Sequence, residues 1–443
     1  MIKTIITAKN TEYRLSPVNC LHAVADPEAP KIGFDRKVKF QKIIGFGGAF
    51  TEAACYNLFR VAPAVREKAI RMYFDPVEGI GYSIGRVSIH GCDFSLSSYT
   101  YIEEGDANLD SFNIARDRQY VIPIVRQAEQ IRGKPIALLG SPWTPPAFMK
   151  DNNSPIRGGH LLEKYAASWA RYFVRFVEEY RKAGLTVAWV SVQNEPAAVQ
   201  RWDSCIYSAE EERDFVKKHL GPTITGSDVS DVKIMIWDHN RDIIVERVTP
   251  ILSDPETARY VWGTAFHWYV SEAFENVGKV HELFPDKGLM FTEGCVENFH
   301  MHRYTWESGE RYATNMIGDL SNWCEGWMDW NLWLDNLGGP NHVNNVCDAP
   351  IIVDIFPETL ITETSYYYIG HISKYVKPGA FRIKTVNGNP DLSVIGFENP
   401  GGEIVLVLLN KTATEQPYAF DFDGAARSAT APARSMTTVL LTR

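Results

Sequence analysis

Eight short apolar runs succeed one another through the middle of the chain: residues 43–50, 82–90, 135–141, 187–195, 232–240, 261–269, 288–294 and 325–333. Each is short enough to be a buried strand, and the gaps between them leave room for helices. Two of the gaps carry helical patterns. In EKYAASWARYFVRFVEEYRKAG (163–184) apolar residues recur every three or four positions and Gly184 offers a stop. SAEEERDFVKKHLG (208–221) opens on Ser208 and an acidic turn and closes on His219 and Gly221, as cap and dipole preferences ask. Strands alternating with helices predict a parallel sheet with crossover connections, and eight of them predict an α/β fold closed as a (β/α)8 TIM barrel.

The flanks have a different texture. From about residue 372 the pattern turns to short alternating strands, AFRIKTV, LSVIGFEN, EIVLVLLN, YAFDF and MTTVLLTR, set off by Gly, Pro and Asn turns, which reads as an antiparallel sandwich. The first ~40 residues share that character. The expected organisation is therefore N-terminal strands over 1–42, the barrel over 43–364, and a β-sandwich over 365–443 that the N-terminal strands join.

Functional groups of such a barrel project from the C-terminal strand ends. The run VAWVSVQNE shows why they attract notice: a strand core made of Val and Trp ends on Asn194 and Glu195, and a carboxylate there must be solvated, paired or used. The other ends supply Asp93, Trp143, Asp238, His267, Tyr269, Glu293, Asp329 and Trp330, with no Lys or Arg among them. Asp, Asn and His bind hydroxyls, and Trp or Tyr stacks on the C–H face of a sugar ring. An anionic ligand would call for Arg, Lys or a glycine-rich helix start. A neutral carbohydrate is the expected partner.

Cleaving a glycosidic bond takes two carboxyl groups. Glu195 and Glu293, three strands apart around the ring, are the candidate pair; about 5–5.5 Å between them would imply retention of configuration. Glu52, Glu297 and Glu325 are expected to be structural or solvated acids.

Bulk properties narrow the field further. A net charge of −9 argues against a nucleic-acid binder. Seven scattered cysteines, never spaced as CxxC, fit free thiols better than a disulfide frame or a zinc site. GFGG at 45–48 lacks the Lys-Ser/Thr of a phosphate loop and suggests a tight bend beneath the site. His300 and His302 are a weak metal signal, and no cofactor is expected. The N-terminus shows no secretory signal, so a cytoplasmic protein is expected, and no apolar run is long enough for a membrane span.

The stretches GFGGAFTEAACYNL, SPWTPPAFMK, VQNEPAA, AFHWY, FTEGC and GWMDWNLWLDNLGGPNHVNNVCDAPIIVD resemble, in that order, glycoside hydrolase family 30 enzymes related to glucosylceramidase. The resemblance implies a barrel with a side β-sandwich and a retaining mechanism, with Glu195 as acid/base and Glu293 as nucleophile. It implies further that Asp93 and Trp143 hold the nonreducing sugar, that Asn194 lies beside its 2-hydroxyl, that Trp330 and Asn345 close the pocket and that Tyr269 reaches the nucleophile. After NEP the chain runs AAVQRWDSCIYS, unlike the longer loop of the animal glycolipid enzymes, and His342 replaces an aromatic residue in their GGPN segment. Both departures fall where the leaving group would lie, and they put a ceramide aglycone in question.

The leading expectation is an exo-acting β-glucosidase. Beside it stand a β-xylosidase, a β-1,6-glucanase and, from another class, an inactive carbohydrate-binding barrel.

Overall fold

The computed structural model describes residues 1–22, 24–297 and 305–443, so His300 and His302 lie outside the described residues. All eight expected strands form: Gly45–Ala49, Ile84–Ile89, Ala137–Pro142, Thr186–Ser191, Lys233–Asn240, Val261–His267, Gly288–Glu293 and Gly326–Asn331. Each runs parallel to its neighbours, and the eighth pairs back onto the first at Gly326 and Gly45, closing the barrel. Ile84, Leu139, Trp189, Met235, Ala265, Met290 and Met328 fill one interior layer, so the barrel is a packed core with its chemistry at one rim.

GFGG is part of the first strand, not a bend. A Cβ on Gly47 would lie 1.9 Å from the Ile84 carbonyl oxygen, so adjacent backbones approach here as only glycine permits. The helix expected over 163–184 spans Glu163–Lys182 and turns Ala166, Trp169, Ala170, Phe173, Val177 and Tyr180 inward, with Gly184 left-handed at φ +79°. Ser208 caps the next helix through a reciprocal bond set with Glu211. That helix does not stop at Gly221: it passes through a π-helical turn (Val216–Leu220) and runs on to Thr225. Gly221 is small because the Tyr260 ring lies against it.

The side domain is built from both ends of the chain. Its seven-stranded antiparallel sheet runs in the spatial order Ser16–Pro17, Ile2–Ala8, Ser435–Leu441, Ile404–Asn410, Leu392–Glu398, Phe381–Asn387, Ile32–Lys42. Along Ile404–Asn410 the residues alternate between two cores. Ile404, Leu406 and Leu408 face a hairpin formed by Gln416–Phe422 and Ala425–Ala431, and Val405, Val407 and Leu409 face the barrel side. A strand covered on both faces reads as an unbroken apolar run, which is what EIVLVLLN shows. The expected boundary at 364/365 falls at the start of a helix, Thr364–Ser373. From it the buried His371 ring bonds Thr438 and Thr7, both at 2.9 Å, and so ties barrel to sheet. After the eighth strand a small three-stranded sheet (Trp333–Asp335, Ile351–Asp354, Thr359–Thr362) frames the loop that carries Asn345.

Candidate active site

Backbone irregularity marks the mouth of the barrel. His90, Glu195, Trp237 and Asp238 all have positive φ, at 58°, 48°, 72° and 52°. None is glycine, and such conformations persist only where the surroundings impose them. Strand pairing slips at Trp237/His239, Phe291/Glu293 and Asp329/Asn331, each at the C-terminal end of its strand. These slips re-aim side chains that strict alternation would send elsewhere.

The result is a cavity of about 250 Å³ whose walls include Glu195 and Glu293 together. Asp93, Trp143, Asn194, Tyr269, Trp330 and Asn345 line it as well. The expected inventory is thus brought together from six barrel strands and the 336–350 loop. His267 differs. It is fully buried below the cavity wall, with Nε2 bonded to Asp238 Oδ1 at 3.0 Å, and is placed to act on neighbouring side chains instead of on a sugar hydroxyl.

Glu293 is fixed at both oxygens. Arg86 Nη1 donates to Oε2 at 2.5 Å, and the Tyr269 hydroxyl donates to Oε1 at 2.8 Å. Burial pushes the Tyr269 phenol well above its ordinary value, so it stays a donor. Burial also raises the Glu293 carboxyl, against the charges of His267 and Arg86. Glu195 is held more loosely: Gln200 donates to Oε2 at 3.3 Å, and the Nδ1 atoms of His239 and His267 each lie 3.6 Å from Oε1, beyond hydrogen-bond length. Burial opposes its charge, but His267 and His239 outweigh burial and bring Glu195 below the usual glutamate range.

Arg86 corrects the expectation that no basic residue serves the mouth. It has no exposure, comes from the second strand, and also donates to Asn194 Oδ1 at 2.8 Å and Asp238 Oδ2 at 2.9 Å. The signal was present: an arginine inside the apolar run YSIGRVSIH is a buried charge that must find partners. Asp238 accepts as well from Ser141, Ser191 and Thr292 at 3.0, 2.5 and 2.6 Å. Burial disfavours its charge, yet Arg86 and His267 hold it far below the carboxylate range. Against the same burial, the charge of Glu293, the bond to Asp238 and the nearby Glu195 carboxylate raise His267 to about 9.

Trp143 and Trp330 stack on each other, ring centroids 5.3 Å apart, and the Arg86 guanidinium lies 5.0 and 5.4 Å from the two rings. Asp93 accepts from Asn345 Nδ2 at 2.9 Å; burial raises its carboxyl to about 7, with Glu293 and Glu195 adding to the shift against the Asn345 bond. Trp202 and Gln200 bring the segment after NEP to the cavity wall, and Arg201 ties that segment to the 336–350 loop by donating to the Asn344 carbonyl at 3.0 Å. His342 is turned to the Ser95 carbonyl, 2.8 Å away. Among the rival acids, Glu52 pairs with Arg116 at 2.7 Å. Glu297 pairs with Arg311 at 2.8 Å while also lining the cavity, and Glu325 lies at the opposite end of the barrel, before the eighth strand.

A barrel that gathers carboxylates above stacked indoles is built for work on sugars, and the likeness to known proteins bears out the class: it is a glycoside hydrolase. Residues 43–376 match the glycosyl hydrolase family 30 TIM-barrel domain and residues 379–439 the family 30 beta sandwich domain. The chain belongs to glycosyl hydrolase family 30. It is similar to the lysosomal acid glucosylceramidase of Mus musculus, 36% identical over 397 residues that cover 86% of this chain and 77% of that protein. Among solved structures it is similar to SrfJ from Salmonella typhimurium, 34% identical with a TM-score of 0.93 and all of both chains covered. The endo-beta1,6-glucanase BT3312 is 30% identical with a TM-score of 0.88, covering 100% of this chain and 99% of that one.

Proposed function

We propose that the protein is a retaining, exo-acting β-glycosidase, with a β-glucoside as substrate, Glu293 as nucleophile and Glu195 as acid/base. The observation that carries the assignment is the unequal treatment of two acids sharing one cavity. Arg86 and Tyr269 occupy both oxygens of Glu293, which favours its ionised form against the burial that raises its carboxyl, and aims it. Among the described residues, the Glu195 carboxylate meets an amide and two imidazoles, and with an imidazole a proton can be exchanged.

A general acid must start protonated, whereas Glu195 lies below its ordinary value. His267 supplies the missing step. Its charged ring faces Glu195 Oε1 from 3.6 Å, and when a sugar expels water from the cavity, the neutral pair of imidazole and carboxylic acid is favoured over the ion pair. Glu195 then protonates the departing oxygen while Glu293 attacks the anomeric carbon. Forming the glycosyl ester removes the charge on Glu293, and Glu195, with the proton spent, activates water for the second displacement.

Asp93 and Asn345 are placed to take hydroxyls of the sugar, and Asn194, whose Oδ1 is spent on Arg86, keeps its NH2 to donate. The cavity is small beside ordinary ligand clefts of ~300–1,000 Å³, which favours a single terminal sugar over a chain lying across the site. The resemblance to a glucosylceramidase supports glucose as that sugar. A β-1,6-glucan is the second reading, favoured by the similarity to BT3312 along the whole chain.

The test uses aryl β-glucosides and β-xylosides, gentiobiose and glucosylceramide, with the product anomer followed by proton NMR. β-Glucose as first product supports the assignment, and α-glucose as first product would overturn retention. In parallel, Glu293→Gln should lose turnover with every substrate. Glu195→Ala should lose far more on substrates with poor leaving groups than on activated aryl glycosides.

A further inference from the structure

We infer that Glu195, His239 and His267 form a binding site for a transition-metal dication of the Zn2+ or Cu2+ kind, and that a metal there shuts the enzyme off. The inhibitory half rests on the assignment of Glu195 as acid/base; the binding half rests on geometry alone. One ligand atom from each of the three residues lies within 4.8 Å of the other two. Glu195 Oε1 stands 3.6 Å from Nδ1 of each imidazole. Ligands at 2.0–2.1 Å in a tetrahedral zinc shell are about 3.4 Å apart, so these two edges already have nearly the length a metal would set, and only the distance between the imidazoles needs to close.

The donors are also prepared. Both Nδ1 atoms are buried and, among the described residues, without a hydrogen-bond partner. His267 spends Nε2–H on Asp238 Oδ1 at 3.0 Å, which leaves Nδ1 as the atom turned to Glu195. A carboxylate behind a liganding imidazole fixes tautomer and aim in many metal sites, and Asp238 is itself anchored by Arg86 and Thr292. Two imidazoles and one carboxylate select zinc or copper over magnesium or calcium, which ask for oxygen shells. His239 and Glu195 line the cavity, so an ion can enter from solvent and keep a water as its fourth ligand. The ion would replace the proton that His267 and Glu195 otherwise exchange and would cover the oxygen that must donate to the leaving group.

The test is direct binding. Purified full-length protein is dialysed against Zn2+ and bound metal counted, and Co2+ is titrated as a spectroscopic probe of low-coordinate nitrogen and oxygen ligation. The expected result is one ion per chain, a visible Co2+ band, and inhibition by Zn2+ that is competitive with an aryl β-glucoside. In His239→Gln and His239→Ala, binding should weaken by at least about tenfold, while His160→Ala, which alters a surface His–Glu pair, should bind as the native protein does. No binding at roughly 100 µM Zn2+, or the same Co2+ spectrum in the His239 variants, would overturn the site while leaving the hydrolase assignment standing. Stoichiometric, His239-dependent binding without inhibition would keep the site and count against Glu195 as acid/base.

Discussion

Arg86 grips Glu293 from a position with no exposure to solvent: its Nη1 lies 2.5 Å from Glu293 Oε2, and its Nη2 is shared between Asn194 and Asp238. One planar fork thereby sets three functional side chains from three strands. Lysine keeps the charge and loses the fork. Arg86→Lys is expected to fold and to lose about 10²-fold in kcat on an aryl β-glucoside, with far-UV circular dichroism unchanged. Native turnover in that variant would show that charge alone suffices.

Tyr269 holds the other oxygen of Glu293. A hydrogen bond to a charged group contributes about 1.5–3 kcal/mol, so Tyr269→Phe should slow formation of the glycosyl-enzyme by roughly 10- to 100-fold. The phenyl ring keeps its packing beside Cys295, and thermal stability should move little. Pre-steady-state release of the aryl leaving group measures the step.

Asp93 gives the site a pH signature in stability. Its folded value of about 7 lies above the ordinary ~3.9 of an unfolded aspartate, so the folded chain holds this proton more tightly. The stability it contributes is complete below the unfolded value and is lost as pH rises through about 7, an amount on the order of 2–4 kcal/mol. Asp93→Asn keeps an acceptor for Asn345 and cannot ionise. Urea denaturation from pH 4 to 8 should show the native protein losing stability relative to this variant as pH rises; parallel profiles would contradict the burial argument.

Gly47 sits where a methyl group would meet the Ile84 carbonyl at 1.9 Å, whereas Gly401 faces open space. Gly47→Ala is expected to abolish folding or to cost more than about 3 kcal/mol, and Gly401→Ala to be nearly neutral. Thermal melts of the pair distinguish a barrel limited by strand spacing from one that can breathe.

The barrel was legible in the chain because buried parallel strands are continuous apolar runs, and eight of them at helix-length intervals admit few folds. The pairing of both chain ends in one sheet was legible from strand texture. The hairpin strand AARSATA was not, because it packs with small and polar residues that carry no alternation. Glu195 and Glu293 could be read from their places at strand tips. Arg86 is hidden by being inside a strand, and His267 reads as a wall residue because sequence position does not tell a rim from the layer beneath it. The bulge that turns Asp238 inward belongs to the pairing of strands and leaves no mark in the local sequence.

Residues Ile2–Ala8 pair along their length with Ser435–Leu441. During synthesis Ile2–Ala8 has beside it only the short strand Ser16–Pro17 until Ser435–Leu441 is made, long after the barrel strands. Growth of the chain thus delivers the barrel before the strand that joins the two halves of its companion sheet, and loss of Ser435–Leu441 would leave a finished enzyme core beside an open, aggregation-prone margin.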